Sequence, residues 1–306
     1  MSVSTLPELE EAKPQYHPSF DDEDADTVLS SNDHVLFRLS RITLRKSSGY
    51  FRNLFGSAKG QATSNSTVYE IPFPTVPLER VLLLISGLPL AIEKLSFSEV
   101  EDMIEVMQFL DTPGPIATMR SSIDVLRQFP NEPISVYGLA TKMGWDEVAQ
   151  KAAEATLPID IYSTVSKDAT RVEKELGHIS TSGSLLALFR MHQRRKDIFR
   201  QQIRDRTRFQ LLCGVCCDPT HWRLLVGRLI EELDHDCSGR SILKPGGIEG
   251  MSEATKCWAR RPCNTRGCDY RHGLSNKVDT LKKIRSVAEG LPKNLKPEDK
   301  GPEAKN

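Results

Sequence analysis

Apolar and polar residues alternate in two short runs near the start of the chain, "TVLSS" and "VLFRLS", separated by Asn32-Asp33. Alternation predicts half-buried strands, and the Asn-Asp pair predicts the turn of a hairpin. From Ile42 the spacing changes. Leu44, Tyr50, Phe51, Leu54 and Phe55 recur near the helical period, which predicts a helix closed by Gly56. "STVYEIPF" predicts a third strand, bounded by Pro72 and Pro74. "PLERVLLLISGL" predicts a helix opened by Pro77, where a missing N–H costs nothing. "SFSEVEDMIEVMQFLD" predicts another, with Ser98 and Glu101 at capping-box spacing and a stop ahead of Pro113.

Beyond Gly114 the pattern is helical almost throughout. "ISVYGLATKMGW" and "WDEVAQKAAEATL" predict a helical hairpin hinged at Gly144, with Asp146 near the cap of its second helix. In "STSGSLLALFRMHQRRKDIFRQQIRDRTRFQLL", Ser184 is the candidate cap. Leu185, Leu188, Phe189, His192, Phe199 and Ile203 form one apolar stripe with a basic back. "THWRLLVGRLIEEL" is one more helix. Residues 1–18 and 286–306 lack hydrophobic periodicity and read as a disordered arm and tail, leaving one domain over 19–112 and a helical one over 113–285. No internal repeat is visible.

With 306 residues the chain can bury a sizeable core. Lysine plus arginine is 41 and aspartate plus glutamate is 41, so net charge selects no partner. The first 26 residues are acidic, and "RMHQRRKDIFRQQIRDRTRF" and "WARRPCNTRGCDYRH" are basic, which by default is a pair of solvated faces. No apolar run reaches the roughly 18 residues of a membrane span, and "MSVSTLPELEEAKPQ" lacks the apolar segment of a secretory signal. The expected setting is cytoplasm or nucleus, with reduced or metal-bound cysteines and an idle Asn65-Ser66-Thr67 sequon. Enzyme chemistry has no positive sign: "CGVCC" lacks a surrounding βαβ pattern, no glycine-rich phosphate loop appears, and His178, His192 and His235 lie apart with no nucleophile context.

The order hairpin, helix, strand, helix, strand-like turn, helix resembles the BTB/POZ domain. The residues that carry the resemblance are Asp26, Val28 and Leu29 on the first strand and Phe37 on the second. In "SRITLRKSSGYFRNLF" they are Leu44, Ser48 four residues on, Phe51 three further, and the pair Leu54-Phe55. In "LLISGLPL" the family's small-residue turn survives as Ser86 and Gly87. The departures are Ser40-Arg41 in place of a His-Lys pair, and Ile85 in place of an aromatic. The resemblance spans about residues 19–112. Together with "VYGLATKMGWDEVAQKAAEATL" it looks like the BTB proteins expanded in mushroom-forming fungi.

The resemblance implies an α+β BTB/POZ domain, a small sheet with helices, followed by a mostly α-helical domain. It also implies a dimer made through the first helix and the strand before it, around Leu39, Ile42 and Leu44. Phe51, by contrast, is read as monomer core. The implied uses are a non-enzymatic scaffold or transcriptional co-regulator, a substrate adaptor of a cullin-type ubiquitin ligase, or a tether for a nucleic-acid-binding segment. Cullin-binding relatives carry a hydrophobic-x-Glu element after the third helix, whose counterpart here is Ala91-Ile92-Glu93.

All seven cysteines fall between 213 and 268, six of them in two clusters and Cys237 alone between. Zinc takes four thiolate or imidazole ligands, brought in pairs from tight turns. Two zinc readings stay open. In one, Cys213 and Cys216 join Cys263 and Cys268 to staple the rear domain. In the other, Cys257, Cys263, Cys268 and His272 form a small finger, resembling those that bind single-stranded RNA, with Trp258, Tyr270 and the surrounding arginines over 257–272 as base-stacking types. Beside them stands the reading without metal, in which free cysteines are buried as small apolar residues.

Overall fold

The computed structural model describes residues 15–57, 68–123, 128–162, 169–205, 208–209, 220–258 and 277–295. They divide into two compact units, 1–124 and 125–306. The described residues are mostly helical, with one small mixed sheet among them.

In the first unit, β1 (Thr27–Ser30) and β2 (Leu36–Leu39) pair antiparallel, with Thr27 opposite Leu39 and Ser30 opposite Leu36. The turn between them places His34 in the left-handed region at φ 64°. β3 (Val68–Glu70) joins the other side of β1 in parallel, giving the order β2-β1-β3. The third strand is shorter than "STVYEIPF" led one to expect.

The single helix expected from Ile42 is two, α1 (Arg41–Ser47) and α2 (Gly49–Ser57). Ser48 separates them with extended backbone. Its buried hydroxyl donates to the Leu110 carbonyl and accepts from the Phe51 amide, so the serine caps the helix it begins. The Gly49 amide donates to Asp111 O at 2.8 Å. A Cβ at Gly49 would lie 1.7 Å from the Asp111 carboxylate, which is why glycine opens α2.

α3 (Thr75–Ile85) is fastened to the hairpin turn: the Thr75 amide and hydroxyl both donate to Asp33 Oδ1, at 3.0 and 2.7 Å. The Ser31 hydroxyl first, and then these bonds from Thr75, hold the Asp33 carboxyl below its ordinary value. α4 (Phe97–Phe109) is capped by Ser96 and Glu99, two residues earlier than the Ser98-Glu101 pair of the sequence expectation. α5 (Pro113–Ser122) packs on α3 and α4, which carries the first unit past residue 112. Leu29, Phe37, Leu44, Phe51, Leu82 and Met103 are among its wholly buried side chains.

The second unit opens with the helical hairpin α6 (Pro133–Lys142) and α7 (Asp146–Ala155), turned at Gly144 with φ 67°. Trp145 holds the cap position, and Asp146 and Glu147 follow in the first turn, where carboxylates favour the helix dipole. After α8 (Ala169–Leu176) comes α9 (Ser182–Ile203), whose cap is Thr181: its hydroxyl accepts from the amide of Ser184 at 3.2 Å. α10 (Thr220–His235), the short α11 (Arg240–Leu243), α12 (Ser252–Trp258) and α13 (Lys277–Glu289) complete the unit. Their shared core includes Phe199, Leu225, Leu229, Ile242, Ile248 and Ile284.

Residues 291–295 then run back over α7 and α9 as a strap. Arg195 Nη1 donates to the carbonyls of Leu291 and Pro292 at 3.0 and 2.7 Å, and Gln150 donates to Lys293 O at 3.1 Å. Arg194 donates to Asn294 O, the Leu295 amide donates to Gln150, and Lys293 pairs with Glu154 at 3.2 Å.

Candidate interaction surface

The three residues expected at a dimer face separate. Leu39 and Leu44 are buried in the first unit's own core, at 4% and 0% exposure, so they cannot meet a second chain. Alternation puts Leu39 on the same side of β2 as Phe37, and α1 turns Leu44 inward below it. Ile42, two residues before Leu44 on the opposite side of the helix, is 64% exposed. Arg45 and Lys46 on α1 are exposed, as are Asp21, Asp22, Glu23 and Asp24 ahead of β1, and Asp21 pairs with Arg38 at 3.5 Å.

The stretch Ala91-Ile92-Glu93 lies at a short 3-10 turn, Ile92–Lys94. Ala91 and Glu93 are exposed and Ile92 is buried.

A second surface was not apparent from the sequence. Tyr50 of α2, Phe73 before α3 and Phe109 at the end of α4 meet at the surface, with ring centroids 5.1 Å (Tyr50–Phe109) and 5.3 Å (Phe73–Phe109) apart. Phe109 is 40% exposed and Val76, three residues beyond Phe73, 52%. Asp102 and Glu105, seven and four residues before Phe109, are exposed, and neither has an ion-pair partner among the described residues. The spacing of these three was legible as one helix face, but the aromatic partners come from other elements.

In the second unit the basic back expected for α9 is partly inside. Arg195 and Lys196 are buried together with His192. Arg195 completes its bonding through Nε, which donates to Cys237 O at 2.9 Å. Lys196 Nζ sits 4.5 Å above the Tyr162 ring, a cation–π contact. The Tyr162 hydroxyl donates to Phe189 O at 2.7 Å, and burial pushes its pKa up to about 12. His192 Nε2 lies 2.9 Å from the Thr156 hydroxyl. Burial first, then the charges of Lys196 and Arg195, drives the imidazole down to about 3, so the ring is neutral. Burial likewise raises the Cys237 thiol to about 11, keeping it protonated. Each group is consumed in holding the unit together. His235, mostly exposed, faces Asp160 at 3.5 Å.

Of the expected metal ligands, Cys213, Cys216, Cys263, Cys268 and His272 lie outside the described residues. Cys257 is half-buried near the end of α12, packed with Trp258 against the rear core, and burial lifts its thiol to about 11. Among the described residues no group of three or more histidine, cysteine or acidic side chains could hold a metal ion. An open polar cleft of about 640 Å³ lies between α10, α11 and the start of α12. Of its lining cations Arg228 and Lys244, Arg228 is already paired with Glu231 and Glu232.

No described helix is long and apolar enough to cross a membrane. No protein-family model matches the chain, and a search of curated proteins finds no relative.

Proposed function

We propose that the chain is a non-enzymatic interaction module. Its first unit pairs with a second copy through the β2–α1 corner, in the manner of a BTB/POZ domain, and its helical second unit serves other protein partners. Ile42 carries this reading. Covering this side chain, 64% exposed on a seven-residue helix, with a second copy would take its apolar surface out of water. A two-fold interface brings the same patch of each copy together, so a basic block beside an acidic block becomes self-complementary. Exposed Arg45 and Lys46 on α1 and exposed Asp22, Glu23 and Asp24 ahead of β1 supply the two signs such a pairing would use. A ligase-adaptor role would add Ala91-Ile92-Glu93 as a contact. The largest apolar side chain there faces inward, which leaves the scaffold reading ahead.

Light scattering on the full chain tests the pairing. The expected mass is twice 34.3 kDa for the native sequence and 34.3 kDa for Ile42→Glu. A native chain that stays at the single-chain mass at tens of micromolar would overturn it.

A further inference from the structure

α4 carries two faces. One is wholly apolar and buried: Val100, Met103, Ile104, Val106 and Met107. The other runs Ser98, Asp102, Glu105, Phe109, residues that fall within one narrow strip because steps of three and four return to the same side of a helix. Asp102 and Glu105 have no partner of opposite charge among the described residues, whereas Glu99 on the same helix is paired with Arg80 at 2.6 Å. The strip then ends in a surface cluster of three aromatic rings contributed by three elements, with Val76 exposed beside it. A partly exposed aromatic cluster, open mainly at Phe109, beside unpaired carboxylates is complementary to one kind of partner: an apolar anchor with cations displaced along the same axis.

We infer that the outer strip of α4, with Tyr50, Phe73 and Phe109 at its end, is a docking surface for a basic amphipathic helix of another protein. From Asp102 to Phe109 the strip advances about 10 Å at 1.5 Å per residue. A helix lying along it sets one leucine or phenylalanine on the aromatic cluster and places lysines or arginines four and seven residues away, opposite Glu105 and Asp102. Apolar contact at Phe109 supplies the affinity, as aromatic anchors at interfaces do. The carboxylates fix register and quicken encounter, and their contribution weakens as salt rises. The inference does not rest on pairing through Ile42.

The probe is a fluorescein-labelled helical peptide with one leucine and lysines four and seven positions from it on the same face, titrated against the full chain by anisotropy. A scrambled peptide of identical composition is the control. The register-matched peptide binds saturably and the scrambled one at least about tenfold more weakly, a difference of roughly 1.4 kcal/mol. The double variant D102N/E105Q changes only exposed side chains. It loses about tenfold in affinity together with the salt dependence, and Phe109→Ser loses more. Equal binding of both peptides, or a D102N/E105Q chain that binds as the native one does, overturns the assignment. Ile42→Glu separates the two proposals, since it halves the mass if pairing holds and leaves peptide binding untouched.

Discussion

In the first unit the wholly buried side chains around Leu29, Phe37, Leu44 and Phe51 are apolar, and the buried polar groups are hydroxyls such as Ser48 and Thr112. The second unit buries a guanidinium, an ammonium, an imidazole and the carboxyl-bearing Glu175. A hydroxyl is satisfied by one carbonyl a short way off, as Ser48 is by Leu110. A buried guanidinium needs several acceptors, and Arg195 finds three, all of them main-chain carbonyls. The two strategies differ in what they tolerate. An apolar core loses stability in proportion to volume removed, while a polar one fails when a single donor or a single protonation state changes.

The largest expected difference between the units is their response to acid. An unfolded chain protonates His192 near 6.5, whereas the folded ring resists until about 3. The stability that comes from keeping it neutral is therefore complete above pH 6.5 and is lost as pH falls toward 3. In the first unit, the backbone and hydroxyl of Ser96 and then Arg80 hold Glu99 down at about 2 against an ordinary 4.5, so its contribution is complete above 4.5 and lost only toward pH 2. All three tryptophans, Trp145, Trp222 and Trp258, belong to the second unit, which makes their fluorescence a report on that unit alone. A fluorescence transition beginning below pH 6.5, ahead of the remaining loss of circular dichroism, is the expected result, and His192→Gln should move it to lower pH. Fluorescence that is flat between 6.5 and 4.5 would refute the contrast.

A smaller effect sharpens the same contrast without acid. Arg195→Met keeps the length of the side chain and removes the donors to three carbonyls, at a cost on the order of 3 kcal/mol. The tryptophan-detected urea midpoint should fall while the first unit's transition stays in place; movement of both together would mean the units do not unfold separately. The smallest test acts on the other side. Ser96→Ala removes the cap of α4 and should cost about 1 kcal/mol, visible by circular dichroism and silent in fluorescence.

How much of this was legible in the sequence follows from the same difference. Where apolar spacing decides burial, the pattern located the elements: the hairpin around Asn32-Asp33, the turn at Gly144, and the third helix, which opens at Thr75, two residues before the expected Pro77. It also marked Phe51 as core, and that residue is wholly buried. It failed at Ser48, because the break between α1 and α2 is made by a carbonyl 62 residues away and not by anything adjacent. At Leu39 and Leu44 it was the resemblance that misled, because likeness to a pairing family does not say which apolar residues this chain keeps for its own core. On α9, "HQRRK" looks like a solvated basic face by composition, yet two of its cations are inside, bonded to segments far along the chain. The aromatic surface is a third kind of miss: Phe109 belongs to a readable helix, but Tyr50 and Phe73 reach it only through the fold.

The strap has a consequence for how the molecule comes to exist. Arg195 is synthesised long before the carbonyls of Leu291 and Pro292, which follow it by 96 and 97 residues. Until they emerge from the ribosome, its guanidinium has only the Cys237 carbonyl to hold. The first unit can therefore close early and the second must wait. Its strap contacts close last, for long-range closure comes late in folding.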